Sequence, residues 1–195
     1  IVVSNDSINV WSYSNEGNYW INYTGQDLDG DGIGDEHHSI DVNNQDNHPL
    51  MGRFTDFSII SRNRTYHVTT ISNTSIPSMG FQVGKETGNR ILHFNVTGDN
   101  DTIGFCRVVI PTELMDYPFI VLNGEEEINS TVLSASNETN AHLYFTFALK
   151  CQTIKIISSI TMRFYDELLD KYLKLQADFY NLSITYYELL NNYTN

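Results

Sequence analysis

The hydrophobic period of this 195-residue chain changes near Ser158. Before that point, Leu92, Phe94 and Val96 alternate with His93 and Asn95, and Leu143, Phe145 and Phe147 alternate with His142, Tyr144 and Thr146. Ile154 and Ile156 alternate with Thr153 and Lys155 in the same way. A period of two belongs to strands with one buried face. After that point, Tyr165, Leu168, Tyr172, Leu175, Phe179, Leu182, Tyr186, Leu189 and Tyr193 follow in steps of three and four, uninterrupted by Gly or Pro. Aromatics fall at a and leucines at d of a heptad, with Leu169 and Leu190 at e. The expectation is a mainly β protein that ends in a long α-helix of coiled-coil type.

The β region spans Phe54 to Ser158. TYHVTTI, GFCRVVI, PFIVL and the residues around Thr131 add further strand candidates, and Asn123-Gly124 suits a hairpin turn. About seven or eight strands in roughly a hundred residues is the size of an immunoglobulin-like β-sandwich. Residues 1–21 hold brief apolar runs, Ile1 to Val3 and Ile8 to Trp11, separated by Asn, Ser and Asp. Short strands of this kind need partners, from a preceding region or a neighbouring molecule, because an open edge is a pairing template. Trp11, Tyr13, Tyr19 and Trp20 read as core or capping aromatics. Three parts are expected: 1–51, 52–158 and 159–195.

Asn18 to Met51 carries the densest chemistry. In DLDGDGIGD, Asp27, Asp29, Asp31 and Asp35 occupy positions 1, 3, 5 and 9 of a calcium loop of EF-hand type. Gly32 stands at position 6 for the sharp turn, and Ile33 at position 7 offers its carbonyl. Position 12 is His38 instead of a bidentate Glu, so the closing ligand is expected from Asp41 or Asp46. Seven acidic residues and no Lys or Arg lie between Asp27 and Asp46, which favours a hard divalent cation, calcium, as cofactor. His37, His38, His48 and Met51 invite a copper reading, but adjacent histidines on extended backbone face opposite ways. The absence of a helical pattern on either side of the loop makes this a fixed structural ion and not a sensor.

A formal charge of -13 argues against nucleic acid or anionic membrane as partner. No apolar run is long enough to span a bilayer, and the first residue is Ile1, so the chain reads as processed or cut from something longer. Ten N-glycosylation sequons, at Asn5, Asn22, Asn63, Asn73, Asn95, Asn100, Asn129, Asn137, Asn181 and Asn192, point to an exported, sugar-coated protein. On the helix, Asn181 falls at c and Asn192 at g. Cys106 and Cys151 suit an oxidising compartment, where a disulfide between them is expected. Strand parity speaks against that bridge, since Cys106 shares a face with Val108 and Ile110, whereas Cys151 shares one with Thr153 and Lys155.

GNYWINYTGQDLDGDGIGD followed by NNQDNHPLM resembles the segment that closes the right-handed parallel β-helix in archaeal surface proteins of the NosD-like, copper-binding-protein-like repeat family. LHFNVTG, TIGFCRVVIPTELM and AHLYFTFALKCQTIKI resemble the β-domain that follows in such proteins, and the Tyr/Leu-rich tail resembles their stalk. The resemblance implies β-helix-like N-terminal strands and a place on the cell exterior. Catalysis finds little support: Glu125, Glu126 and Glu127 follow a turn, the serines lack a nucleophile elbow, and Cys106 has no evident base. The function expected is therefore a non-catalytic extracellular structural protein that assembles with identical subunits into an oligomer or filament. The alternative is a calcium-dependent adhesion module for carbohydrate or protein, for which Trp20 and Tyr23 are the nearest aromatic candidates.

Overall fold

The computed structural model describes residues 7–99, 102–149 and 153–193. In chain order the elements are β1 (His38–Asp41), β2 (Asn44–Asp46), β3 (Arg53–Ser61), β4 (Arg64–Ser72), β5 (Met79–Val83), β6 (Arg90–Asn95), β7 (Ile103–Pro111), β8 (Phe119–Asn123), β9 (Glu126–Ile128), β10 (Ser130–Val132), β11 (Asn140–Ala148), β12 (Thr153–Ser158) and α1 (Ile160–Tyr193). β1 and β2 form a small hairpin, while the rest of the β structure makes two five-stranded sheets. The first has the order β10-β11-β7-β4-β3 and the second β5-β6-β12-β8-β9, with antiparallel pairing throughout.

The period-two pattern accounts for the core between these sheets. Val68, Cys106, Val108, Leu143, Phe145 and Phe147 come from the first sheet, and Leu92, Phe94, Val121, Ile154 and Ile156 from the second. Each lies on the apolar parity of its strand, and burial of such side chains contributes about 1.5–3 kcal/mol apiece before the cost of chain ordering. Ten strands lie between Arg53 and Ser158, more than the seven or eight expected. The three-residue strands β9 and β10 are too short to show alternation.

One face breaks the parity rule, and the break locates the candidate site. Ile71 on β4 and Arg107 on β7 point away from the main core, yet both are buried. The segment preceding β3 covers them: Ile33 and Leu50 pack with Ile71 and Phe105 into a second, smaller core on the outer face of the first sheet.

The brief strands expected over Ile8 to Trp11 are not formed. Between residues 7 and 37 the described backbone makes isolated bridges only, Tyr13 with Glu16, Tyr19 with Leu50 and Ile33 with Leu50, and no β-helix coil is seen among the described residues. Nor do residues 7–21 lack local partners. Asn9 N and Trp11 Nε1 donate to Asn44 Oδ1 at 2.8 and 3.0 Å, Gly17 N donates to the His48 carbonyl at 2.8 Å, and Leu50 N donates to the Asn18 carbonyl at 2.9 Å. Side-chain amides and carbonyls take the place of a strand ladder.

Cys106 is a free thiol buried in the main core, which pushes its pKa well up from the usual thiol range. Cys151, its expected partner, lies outside the described residues, as do Asn5 and Asn100. The other eight sequon asparagines, Asn22, Asn63, Asn73, Asn95, Asn129, Asn137, Asn181 and Asn192, are all exposed.

α1 carries the heptad through 34 residues, about 51 Å at the usual rise of about 1.5 Å per residue. Its seam is open to solvent, with Leu175 68 % and Leu182 67 % exposed. A second apolar row, at b and f, is exposed as well: Leu173, Tyr180, Ile184 and Tyr187. No helix among the described residues is long and apolar enough to cross a membrane.

Candidate metal centre

Local backbone chemistry shapes the DLDGDGIGD loop. Gly30 and Gly32 take left-handed φ values of 71° and 83°, which a side chain would resist. Those turns aim three successive N–H groups at one carboxylate: Asp27 Oδ1 accepts from Gly30 N at 2.8 Å and Asp31 N at 3.0 Å, and Oδ2 accepts from Gly32 N at 2.9 Å. Asp31 Oδ1 accepts from Ile33 N at 2.8 Å, and Asp35 Oδ2 from Leu28 N at 2.6 Å. The loop thus folds around its own carboxylates.

It brings Asp27, Asp29 and Asp35 together, one oxygen of each within 4.8 Å of the others. Among the described residues this is the one convergence of three or more metal-capable side chains, so the histidines considered for copper do not assemble a site. Asp31 lines the adjoining cavity of about 290 Å³ with Asp29, Ile33, Asp35, Asn15, Asn47 and His48. The carbonyl of Ile33 is outside the ladder at its bridge, whose bonds run from Gly34 N to the Pro49 carbonyl at 2.7 Å and from Met51 N to the Gly32 carbonyl at 3.1 Å. Carboxylate, carbonyl and amide oxygens around a small polar space fit a hard cation such as calcium, which takes six to eight oxygens, water among them.

The expected closing ligands do not join this group. Asp41 accepts from Asn43 N at 2.8 Å and from Asn44 Nδ2 at 2.9 Å, fixing the turn of the β1–β2 hairpin. Asp46 is fully buried, and its carboxylate accepts from Asn18 N at 2.6 Å, Trp20 Nε1 at 2.8 Å and His48 N at 3.1 Å. Its lone pairs are committed to N–H donors, so it organises the aromatic side of the segment and not the ion. Asp46→Ala is expected to cost about 2–4 kcal/mol of stability, because three donors lose their acceptor, two of them backbone; urea unfolding measures it. His38, at position 12, stacks on Trp20 with ring centroids 4.8 Å apart.

Two residues of the first sheet lie beside the loop. Tyr144 on β11 lies against the loop at Gly30, and burial together with the Asp27 and Asp31 carboxylates pushes its pKa up to about 12. Arg107 on β7, only 4 % exposed, donates from Nη2 to Glu16 Oε1 at 2.7 Å and to His142 Nδ1 at 3.2 Å. Burial and that guanidinium lower the His142 pKa, which keeps the ring neutral as an acceptor. Through Nη2 the arginine pins the preceding segment, its Nε and Nη1 are buried without a described partner, and its charge partly offsets that of Asp31.

Burial raises the pKa of Asp29, with Asp35 and Asp27 adding to it, and burial also raises that of Asp31. A carboxylate with a raised folded pKa favours the ion-free fold below its unfolded value of 3.8, and that contribution is lost as pH rises through the folded value. A cation relieves the same strain at neutral pH. Calcium affinity is therefore expected to fall on acidification more steeply than ordinary carboxylates would cause, with protons released on binding over the same range; calorimetry in two buffers of different ionisation enthalpy checks both.

Compared with protein-family models, curated proteins and solved structures, the chain matches none of them.

Proposed function

We propose that this protein is a non-catalytic structural component of the archaeal cell exterior, a glycoprotein stiffened by calcium at the joint between its N-terminal segment and its β-sandwich. The immunoglobulin-like relation of the sheets and a β-helix end ahead of the joint belong to the same reading. The observation that carries it is the convergence of Asp27, Asp29 and Asp35 in a loop seated on the outer face of the first sheet. An ion there neutralises charges that otherwise repel one another across the seam between two parts of the chain. α1, with its open apolar seam, supports assembly with identical subunits, since a single helix gains most of its stability from covering such a face. Calcium titration of the intact protein tests the first half: one saturable site, abolished in the double variant D29N/D35N, is expected, and an unchanged titration in that variant would overturn the reading.

A further inference from the structure

We infer that the first sugar of an N-glycan on Asn22 docks onto Trp20 and serves as a structural part of the joint, a reading that rests on the protein being glycosylated. The sequence around this asparagine is Trp20-Ile21-Asn22-Tyr23-Thr24. Tyr23 N donates to the Trp20 carbonyl at 3.0 Å, closing a tight turn in which Asn22 is the third residue. Neither central residue lies in the left-handed region, so the turn is of the common right-handed kind. It sets an aromatic two residues before the asparagine, and the sequon threonine two after it, along one short stretch of surface.

That stretch borders a cavity of about 590 Å³, lined in part by Tyr19, Trp20, Asn22, His38 and Ser39. Its volume falls within the range of about 300–1,000 Å³ usual for small-ligand sites. The indole is fixed in place. Trp20 Nε1 donates to buried Asp46 at 2.8 Å, and the ring is stacked on His38 at 4.8 Å and tilted against Trp11 at 5.7 Å. Trp20 is only partly buried, and the part of its indole that borders the cavity is suited to the apolar C–H face of a pyranose. Ile21, exposed at 85 %, would be sheltered by the same sugar.

Among the described residues, Asn22 shares a free amide with Asn63, Asn129, Asn181 and Asn192, and among these it is the one with a tryptophan two residues before it. Its amide enters no described hydrogen bond, whereas Asn73 donates to the Ile103 carbonyl at 3.1 Å and accepts from Phe105 N at 2.8 Å, and Asn137 accepts from Thr139 N and Asn140 N. In the coupling reaction the Asn22 amide nitrogen displaces the lipid-linked phosphate at the sugar's anomeric carbon and gives up one proton. Because the sugar is tethered at the cavity's rim, its binding there is intramolecular and requires little intrinsic affinity.

The test uses the native glycoprotein and two variants: Thr24→Ala, which removes the sequon but leaves Asn22 and Trp20, and Thr24→Ser, which keeps it. Glycopeptide mass spectrometry gives occupancy of Asn22, and acrylamide quenching reports the two tryptophans, Trp11 and Trp20. We expect occupied Asn22 in the native protein and in Thr24→Ser. Thr24→Ala is expected to show about twofold stronger quenching and a melting temperature lower by roughly 2–4 °C, the shift of a ~1 kcal/mol loss in a chain of this size. Enzymatic removal of the sugars from the folded native protein is expected to reproduce both changes without a substitution. Asn22 bare in the native protein would overturn the inference together with glycosylation at this site. Asn22 occupied, with quenching and melting unchanged by Thr24→Ala, would overturn the docking alone.

Discussion

Removing calcium from the intact protein is expected to lower its melting temperature by about 5–10 °C. An ion present at about a hundred times its dissociation constant adds about 2.7 kcal/mol to the folded state, and each kcal/mol moves the midpoint of a domain this size by about 2–4 °C. The effect is expected to begin at the joint. Only two backbone bonds, Gly34 N to the Pro49 carbonyl and Met51 N to the Gly32 carbonyl, close the Ile33–Leu50 bridge, and the Ile33, Leu50, Ile71 and Phe105 cluster beneath it is small. Without the ion, Asp27, Asp29 and Asp35 repel one another above this cluster, so protease cutting between Gly25 and Met51 should accelerate before the sandwich unfolds. Magnesium is expected to substitute poorly, because it demands near-octahedral geometry at shorter distances than three converging carboxylates on a turn readily supply. A melting temperature and cleavage pattern indifferent to chelator would remove the calcium reading, and with it the stiffened joint.

The parts of this arrangement that were legible in the sequence are those decided over a few residues. The spacing of Asp27, Asp29 and Asp35 with Gly30 and Gly32 between them dictates a turn that gathers the carboxylates, because the N–H groups that orient Asp27 are its own near neighbours. The alternation in β6, β11 and β12 likewise announces which side chains face the core. What failed was long-range. Asp46 looks like a ligand in sequence because it is acidic and close by, but its fate is decided by Asn18 and Trp20, which reach it only after the segment folds back. Arg107 is one cation in the middle of an apolar strand, and its role depends on Glu16, 91 residues earlier. A charged residue at an outward position of an otherwise apolar strand was the available signal: either the strand faces water there, or something covers it and supplies an anion. The second apolar row on α1 is weaker in sequence for a different reason: Asp166, Asp170 and Asn191 share its b and f positions and interrupt the pattern of Leu173, Tyr180, Ile184 and Tyr187.

That second row shapes the remaining prediction. Leu175→Asp with Leu182→Asp places two carboxylates in the centre of the a/d seam, and the intact protein is expected to change from an oligomer to a monomer with loss of much of its helical circular dichroism. The large effect follows from how little else holds the helix. It has no acidic residue in its first turn and no basic residue in its last, so its dipole is uncompensated. The exposed a, d and b/f side chains together present on the order of 1,500 Å² of apolar-rich surface, judged from about 150–250 Å² per large aromatic. A standard interface uses about 800 Å² per partner. One neighbour along a/d therefore leaves the b/f row open, and a bundle of three or more helices covers both. The polar c and g positions hold Lys171, Lys174, Asp178 and Glu188 together with Asn181 and Asn192, so a glycan at either asparagine faces outward from such a bundle. Tyr180→Ser with Tyr187→Ser separates the two arrangements: in a bundle it is expected to reduce the subunit number, whereas in a two-stranded coil it leaves the dimer intact. Sedimentation equilibrium in calcium reads both variants. A native protein that sediments as a monomer would show that α1 does not assemble with copies of itself.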